Sequence, residues 1–314
     1  MTEQKIHADG IYLNLPEADY HADPALSASG IKNLLQSPAD YWFQSVHNPD
    51  REDFDTTATA KGTLYHLMFF EPERFKETYA IKPEGMSFAT KDGKAWRADH
   101  EHMQIVKYED VQEVARHRAL AEKRGLFEFI GEGHSEVSIF WTNATGNRCK
   151  CRVDRLAANA AFDLKTFSNS QRKDLDMCLA HTIYYEKYHI AAVWYSMLIE
   201  EAKKLRTYGC SVNVKGQTEI APRDGVVLQP HPHKFWLIFQ QTGAVPNLVL
   251  RQIERKDFEG TTNEYWRAAE RSIEHATGLY AKYMASHGPD TPWVEPINPK
   301  PVADHEFAPW MIEE

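Results

Sequence analysis

"CRVDRLAANAAFDLKTF", residues 151–167, puts Asp154 near the end of one apolar run, Asp163 nine positions on, and Lys165 two beyond that. Both runs read as strands, over 148–158 and 161–167. Residues two apart on a strand share a face and lie about 6.5–7 Å apart. Asp163 and Lys165 therefore project together, while Phe162 and Leu164 face the core. If the two strands pair through a short connection, Asp154 converges on Asp163. Carboxylates that close repel, and a bound divalent cation relieves the repulsion. Mg²⁺ favours one or two carboxylates together with water and substrate phosphate oxygens. A neighbouring ammonium can orient the attacking water for in-line displacement at a phosphodiester. The bare spacing also occurs by chance and on solvated faces, but the apolar setting of "AAFDLKTF" argues against a solvated face.

Upstream, "EVSIFWT" (136–142) alternates, with Val137, Ile139 and Trp141 on one face of a first strand that Glu136 begins. Downstream, 175–205 reads as one long helix with a stripe of Leu175, Leu179, Ile183, Ile190, Trp194 and Met197. Two more strands are expected within 234–254 and a helix from Thr261 to about Met284. Before the strands, Ser27 or Ser29 can cap a helix carrying Ile31, Leu34 and Leu35. A second helix spans 56–75 with Pro72 as its stop, residues 76–107 read as irregular, and 108–125 reads as a helix ended by Gly125. This order predicts an α/β fold: a single restriction-endonuclease-like domain over 1–290, with a central mixed β-sheet flanked by helices. Residues 291–314 form a Pro-rich acidic tail.

With 42% hydrophobic and 26% charged residues among 314, the chain can bury a proper core. A net charge of −9 argues against non-specific coating of nucleic acid but leaves room for a local basic groove. The longest apolar run, 191–199, is too short to cross a bilayer, and the N-terminal stretch has no signal-peptide pattern. A cytoplasmic protein without membrane contact is expected. Cys149, Cys151, Cys178 and Cys210 fit no common iron–sulfur spacing and read as free buried thiols.

Several motifs together resemble the PD-(D/E)XK nuclease superfamily, and more narrowly its RecE-like (exonuclease VIII-type) and RecB-type branch. They are "YHADPALSASGIKNLLQSPADYW" (20–42), "AKGTLYHLMFFEPERF" (60–75), the Asp154–Asp163–Lys165 spacing after "EVSIFW", and "YEKYHIAAVWY" (185–195). The similarity runs from about residue 11 to the end. It implies that His66, Asp154 and Asp163 hold a metal with the Leu164 carbonyl, and that Lys165 is the catalytic lysine. Without it, His66 would read as a core histidine. Glu136 is a possible further metal residue or a solvated strand-end carboxylate. One departure is Ala191, at the position where RecB-type nucleases usually carry Gln.

The resemblance further implies a Mg²⁺-dependent exonuclease, with Mn²⁺ as a substitute, acting on double-stranded DNA ends 5′ to 3′ in phage-type recombination. It also implies a ring-like homo-oligomer and a single-strand annealing protein as partner. The competing expectations are a RecB-type nuclease acting on single strands and a non-catalytic DNA-binding or adaptor protein on the same fold. Further DNA-binding candidates each carry a blander reading. Ser27, Ser29 and Lys32 can bind phosphate or simply start a helix. Lys203, Lys204 and Arg206 can neutralise phosphates or complement a helix C-terminus. Tyr188 and Tyr195 can reach substrate or pack in the core. "HPH" (231–233) is a weak zinc signal and a more ordinary loop.

Overall fold

The computed structural model describes residues 5–51, 57–205, 211–214, 217–220, 233–303 and 306. The chain opens with β1 (Gly10–Tyr12), α1 (Glu17–Ala22), α2 (Ala28–Leu34) and α3 (Pro38–Gln44). Next come α4 (Thr57–Phe70), α5 (Pro72–Thr78), β2 (Tyr79–Lys82), α6 (Lys91–Asp99), β3 (Gln104–Lys107), α7 (Tyr108–Lys123) and α8 (Leu126–Ile130). The central meander is β4 (Gly133–Thr142), β5 (Arg148–Ala157) and β6 (Ala160–Phe167). It leads into α9 (Leu175–Tyr185), α10 (Tyr188–Leu205), β7 (Ser211–Val214), β8 (Gln217–Ile220), β9 (Lys234–Gln241), β10 (Leu248–Ile253) and α11 (Glu264–His287).

Six strands form a mixed sheet in the order β1-β4-β5-β6-β9-β10. Only β6 and β9 run parallel, because the α9–α10 crossover carries the chain back between them. One core packs α2, α3, α10 and α11 against one face, through Ile31, Trp194, Leu198, Ile273 and Tyr283 among others. A second packs α4, α7 and α8 on the other face, with Tyr65, Phe69, Val114 and Leu126 against Phe162, Leu164 and Ile238. This is a restriction-endonuclease-like fold, an α/β domain as the sequence pattern predicts. No described helix is long and apolar enough to cross a membrane.

Four local expectations change. The helix read over 56–75 is two, because Pro72 starts α5 at its first turn instead of ending a helix there. Residues 76–107 are not irregular: β2 and β3 pair in parallel around α6. Their short length and exposed faces left no periodic signal. The helix read over 175–205 breaks at Glu186–Lys187, where Lys187 takes a left-handed φ of 52°. The break shifts the phase, so Met197 is exposed while Leu198 enters the core. Finally, β4 begins at Gly133, upstream of Glu136, and is buried on both faces, with Ser138 and Phe140 as inaccessible as Val137 and Ile139.

The Pro-rich segment starts inside the fold. Trp293 is buried, its ring stacks with Tyr41 and Tyr283, and its indole N–H donates to the Gly288 carbonyl at 2.8 Å. The tail aromatics Phe307, Trp310 and Met311 lie outside the described residues. Cys149 and Cys151 are free and buried and Cys178 is free and half-buried, while Cys210 lies outside the described residues.

Candidate active site

The site arises where two strands part. β5 and β6 are joined by only two residues and pair only through Arg155↔Phe162 and Leu156↔Ala161. One step further, Asp154 and Asp163 would face each other, but the ladder has ended. Beyond it, the β5 edge is taken by the segment before α2. Leu26 N–H donates to the Arg148 carbonyl at 2.9 Å, and Lys150 N–H donates to the Leu26 carbonyl at 2.8 Å. The opening is thus bounded by β6 on one side and by the start of α2 on the other. The Asp154 carboxylate lies across it and accepts the Leu164 backbone N–H at 2.7 Å, standing in for the lost ladder acceptor.

Four elements aim side chains into this opening. From α4, His66 Nδ1 lies 3.2 Å from Asp154 Oδ2. From β4, Glu136 brings a carboxylate, and the ligand atoms of His66, Glu136 and Asp154 all lie within 4.8 Å of one another. Glu136 sits opposite Asp154 in the β4–β5 register and holds a φ of 52°, in the left-handed region that a non-glycine residue occupies only at some cost. From β6, Lys165 Nζ donates to Asp163 at 2.8 Å. From α10, the Tyr188 ring centroid lies 5.3 Å from Lys165 Nζ and 5.7 Å from Lys32 Nζ.

The electrostatics follow from this crowding. Burial, and then the adjacent Asp163, raise Asp154 well above the usual carboxylate range. Burial likewise raises Glu136 to about 7, against the opposing pull of Arg152. Burial and the Lys165 ammonium lower His66 to about 4, so its imidazole is neutral at pH 7 and keeps a lone pair. Burial would lower Lys165, but Asp163 and Asp154 outweigh it and hold the ammonium above the ordinary lysine range. Two carboxylates held against their preference beside a neutral imidazole form a donor set suited to a hard divalent cation.

These groups line a cavity of about 930 Å³. Ser27, Ser29 and Lys32 line it too, brought there by the Leu26 pairing. Ser27 Oγ also caps α2 by accepting Gly30 N–H at 3.1 Å, and it lies 2.9 Å from Ser29 Oγ, so the capping role is present beside the cavity position. Tyr188, Tyr195 and Ala191 reach the same cavity from α10. Lys203 and Lys204 do not line it. They lie about 12–14 Å beyond Tyr195 along α10, at 1.5 Å per residue, and pair with Glu200 and Glu201. Arg206 lies outside the described residues. So do His231 and Pro232, while His233 Nε2 lies 3.3 Å from the Ala157 carbonyl and belongs to no cluster of three metal-ligating side chains among the described residues.

Lys150 and Arg152 also line the cavity and escaped the sequence reading. Lys150 Nζ donates to the carbonyls of Tyr20 and Asp23, each at 2.6 Å, and burial lowers it to about 8. Arg152 donates to Ser138 Oγ at 2.9 Å and to the Leu15 carbonyl at 2.8 Å, and lies 3.9 Å from Glu136. Their signal was available: Lys150, Arg152 and Asp154 recur at every second position of β5.

The model of a family described as "PDDEXK-like domain of unknown function (DUF3799)" matches residues 27–220, more than half of the chain. That span contains the His66, Glu136, Asp154, Asp163 and Lys165 positions. A crystal structure of a protein from Eubacterium rectale, described as a "Putative exonuclease", superposes with a TM-score of 0.54 at 14% identity, covering 94% of this chain and 98% of that one. No curated protein matches the sequence.

Proposed function

The chain belongs to the PDDEXK-like domain family, within the PD-(D/E)XK nuclease superfamily, and from that premise we propose that it is a metal-dependent deoxyribonuclease. The observation that carries this reading is the convergence of His66, Glu136 and Asp154 beside the Asp163–Lys165 ion pair, at one opening in the sheet. His66, Asp154, Asp163 and the Leu164 carbonyl would hold Mg²⁺ or Mn²⁺, and the partly neutralised Glu136 adds a further oxygen donor. When bound, such a cation offsets charge on the phosphodiester and acidifies water. The protein's own contribution is positional. Lys165 stays protonated at neutral pH, so it acts as a charged donor that orients the attacking water and stabilises the phosphoryl oxygens. Asp163 fixes that ammonium, and Asp154 is held in line by the Leu164 N–H.

The similarity to RecE-like nucleases supports a finer reading: a double-strand exonuclease working 5′ to 3′, a ring-like homo-oligomer, and a single-strand annealing partner in phage-type recombination. Ala191 favours the rival readings, a RecB-type nuclease acting on single strands or a non-catalytic DNA-binding adaptor. It leaves a short side chain in the cavity wall where RecB-type relatives usually carry an amide. Linear duplex DNA labelled at either end, incubated with Mg²⁺ or EDTA, tests the activity, its cation and its direction. Mg²⁺-dependent loss of the 5′ label supports the double-strand 5′-to-3′ exonuclease. Undiminished digestion in EDTA ends the metal reading, and binding without digestion supports the adaptor.

A further inference from the structure

α9 presents an unusual outer face. Its inward side buries Leu179 and packs Leu175, Cys178 and Ile183 against the core. Its outward side, where polar residues are the rule, carries Met177, His181, Tyr184 and Tyr185. Met177 is 56% exposed, Tyr184 68% and Tyr185 71%. The rings form one cluster: Tyr184 and Tyr185 meet edge-on at 5.3 Å, and His181 and Tyr185 at 5.8 Å. The patch contains no aliphatic side chain apart from Met177 and Ala180. It offers ring faces more than the aliphatic knobs of a helix–helix seam.

Its surroundings decide the occupant. Glu186, the next residue after Tyr185, lines the cavity, and Tyr188 there lies against Lys165. The patch therefore adjoins the chain segment that lines the candidate active site. Of the acids of this stretch, Asp176 pairs with Arg251 and Asp174 accepts the Met177 N–H, which leaves the Glu186 carboxylate at the cavity end as the one acid beside the rings without an ion pair among the described residues. Arg172, Lys173 and Lys187 bracket the rings and form no ion pair among the described residues. Exposed rings flanked by free cations beside a phosphodiester site match what a single strand requires: stacking surfaces for bases and charge for the backbone.

We propose that the Met177–His181–Tyr184–Tyr185 face of α9 is a base-stacking platform for a single strand of DNA at the cavity mouth. The proposal rests on the nuclease reading above but is tested separately from it. In EDTA, the affinity of the full-length protein for a fluorescein-labelled single-stranded oligonucleotide is measured by anisotropy across a salt series. The proteins compared are wild type, Tyr184→Ala/Tyr185→Ala and Tyr184→Phe/Tyr185→Phe. The alanine pair should bind about 10-fold or more weakly, from the strength of base–aromatic stacking. Its salt slope should match wild type, since no charge is lost, and the phenylalanine pair should bind like wild type. Melting temperature and light-scattering mass should not change. The proposal is overturned if wild type does not bind the oligonucleotide or if the alanine pair binds as wild type does. It is also overturned if the phenylalanine pair loses as much as the alanine pair, or if the alanine pair drops to a smaller species, which would make the face a subunit contact. Failure of wild type to digest DNA with Mg²⁺, while the alanine pair still loses oligonucleotide binding, would sink the nuclease reading and leave this one standing.

Discussion

Two polar clusters sit on either side of α4, and they solve the same problem in opposite ways. On the α7 side, Glu113 accepts from Lys61 Nζ at 2.8 Å, from the Gly243 N–H at 2.8 Å and from the Tyr65 hydroxyl at 3.0 Å, and His117 Nδ1 lies 2.7 Å from the same hydroxyl. Burial would raise Glu113, but these donors outweigh it and hold the carboxyl below its ordinary value. One turn face away, His66 points at Asp154, whose carboxyl is raised by burial and by Asp163. The first cluster supplies a donor for nearly every acceptor and works as structure, tying α4 to α7 and to the turn after β9. The second gathers more negative charge than its own donors offset. A buried polar cluster left short of positive charge is a place where function is to be sought.

The largest expected effect separates the two clusters by activity. Lys165→Ala should lower Mg²⁺-supported cleavage by at least about 100-fold, in line with losing a charged donor at a reacting centre. Fold and DNA binding should hold. Tyr65→Phe, on the structural side of the same helix, should leave cleavage within a few-fold of wild type. Near-wild-type digestion by the Lys165 variant would remove it from the mechanism and dissolve the contrast.

The next effect is on stability, and its dependence on cation sharpens the comparison. Glu113→Gln should cost about 1–3 kcal/mol, as for a half-buried carboxylate that loses charged hydrogen bonds, equally with Mg²⁺ or EDTA. Asp154→Asn should cost nothing in EDTA, since it removes a repelled charge and keeps an acceptor for the Leu164 N–H. It should also abolish the rise in melting temperature expected of wild type with Mg²⁺ by mass action. Denaturation of the three proteins with and without Mg²⁺ checks both. A Mg²⁺ response that survives Asp154→Asn would move the cation elsewhere.

The same pair predicts a pH signature. Glu113 has a depressed folded-state pKa, so its contribution is fully present above the unfolded value of about 4.3 and is lost as pH falls through the folded value. The stability gap between wild type and Glu113→Gln should stay constant near neutrality and close on acidification below pH 4. Urea titrations at pH 7 and in the acid range measure it. A gap that persists unchanged in acid would mean that the Glu113 charge contributes nothing.

How far this contrast was legible in the sequence depends on the range of the interaction involved. Asp163 and Lys165 were readable because period-2 alternation is local, and Phe162 and Leu164 do enter the core as that alternation demands. The approach of Asp154 needed a register, which a two-residue connection nearly fixes. The early end of the β5–β6 ladder was not readable, since it depends on Leu26 taking the β5 edge from more than 120 residues away. His66 had no local signal, and only its resemblance to a family motif raised it above a core histidine. The Tyr65–Glu113–His117 cluster was missed because its members lie about 50 residues apart on two helices. The break at Lys187 was missed because helical periodicity runs unbroken through the letters around it, while the left-handed φ there ends one helix and starts another.

The smallest expected effect concerns Lys32, on the cavity rim between the site and the α9 face. Its Nζ donates to the Glu186 carbonyl at 3.2 Å and lies over the Tyr188 ring, and burial, with the Lys165 ammonium behind it, lowers its pKa. Two roles are compatible with that geometry: a tie between α2 and the α9–α10 junction, or a cation offered to a backbone phosphate. They separate by salt. A phosphate contact contributes about one unit to the slope of log affinity against log salt and weakens all sequences alike. Lys32→Ala should thus bind duplex DNA a few-fold more weakly at low salt, converge on wild type at high salt, and show a slope shallower by about one. A tie would instead appear as a lowered melting temperature with the slope intact. In that case the cationic rim of the site would be left to Arg172, Lys173 and Lys187, and the boundary between the structural and the functional cluster would run through α2.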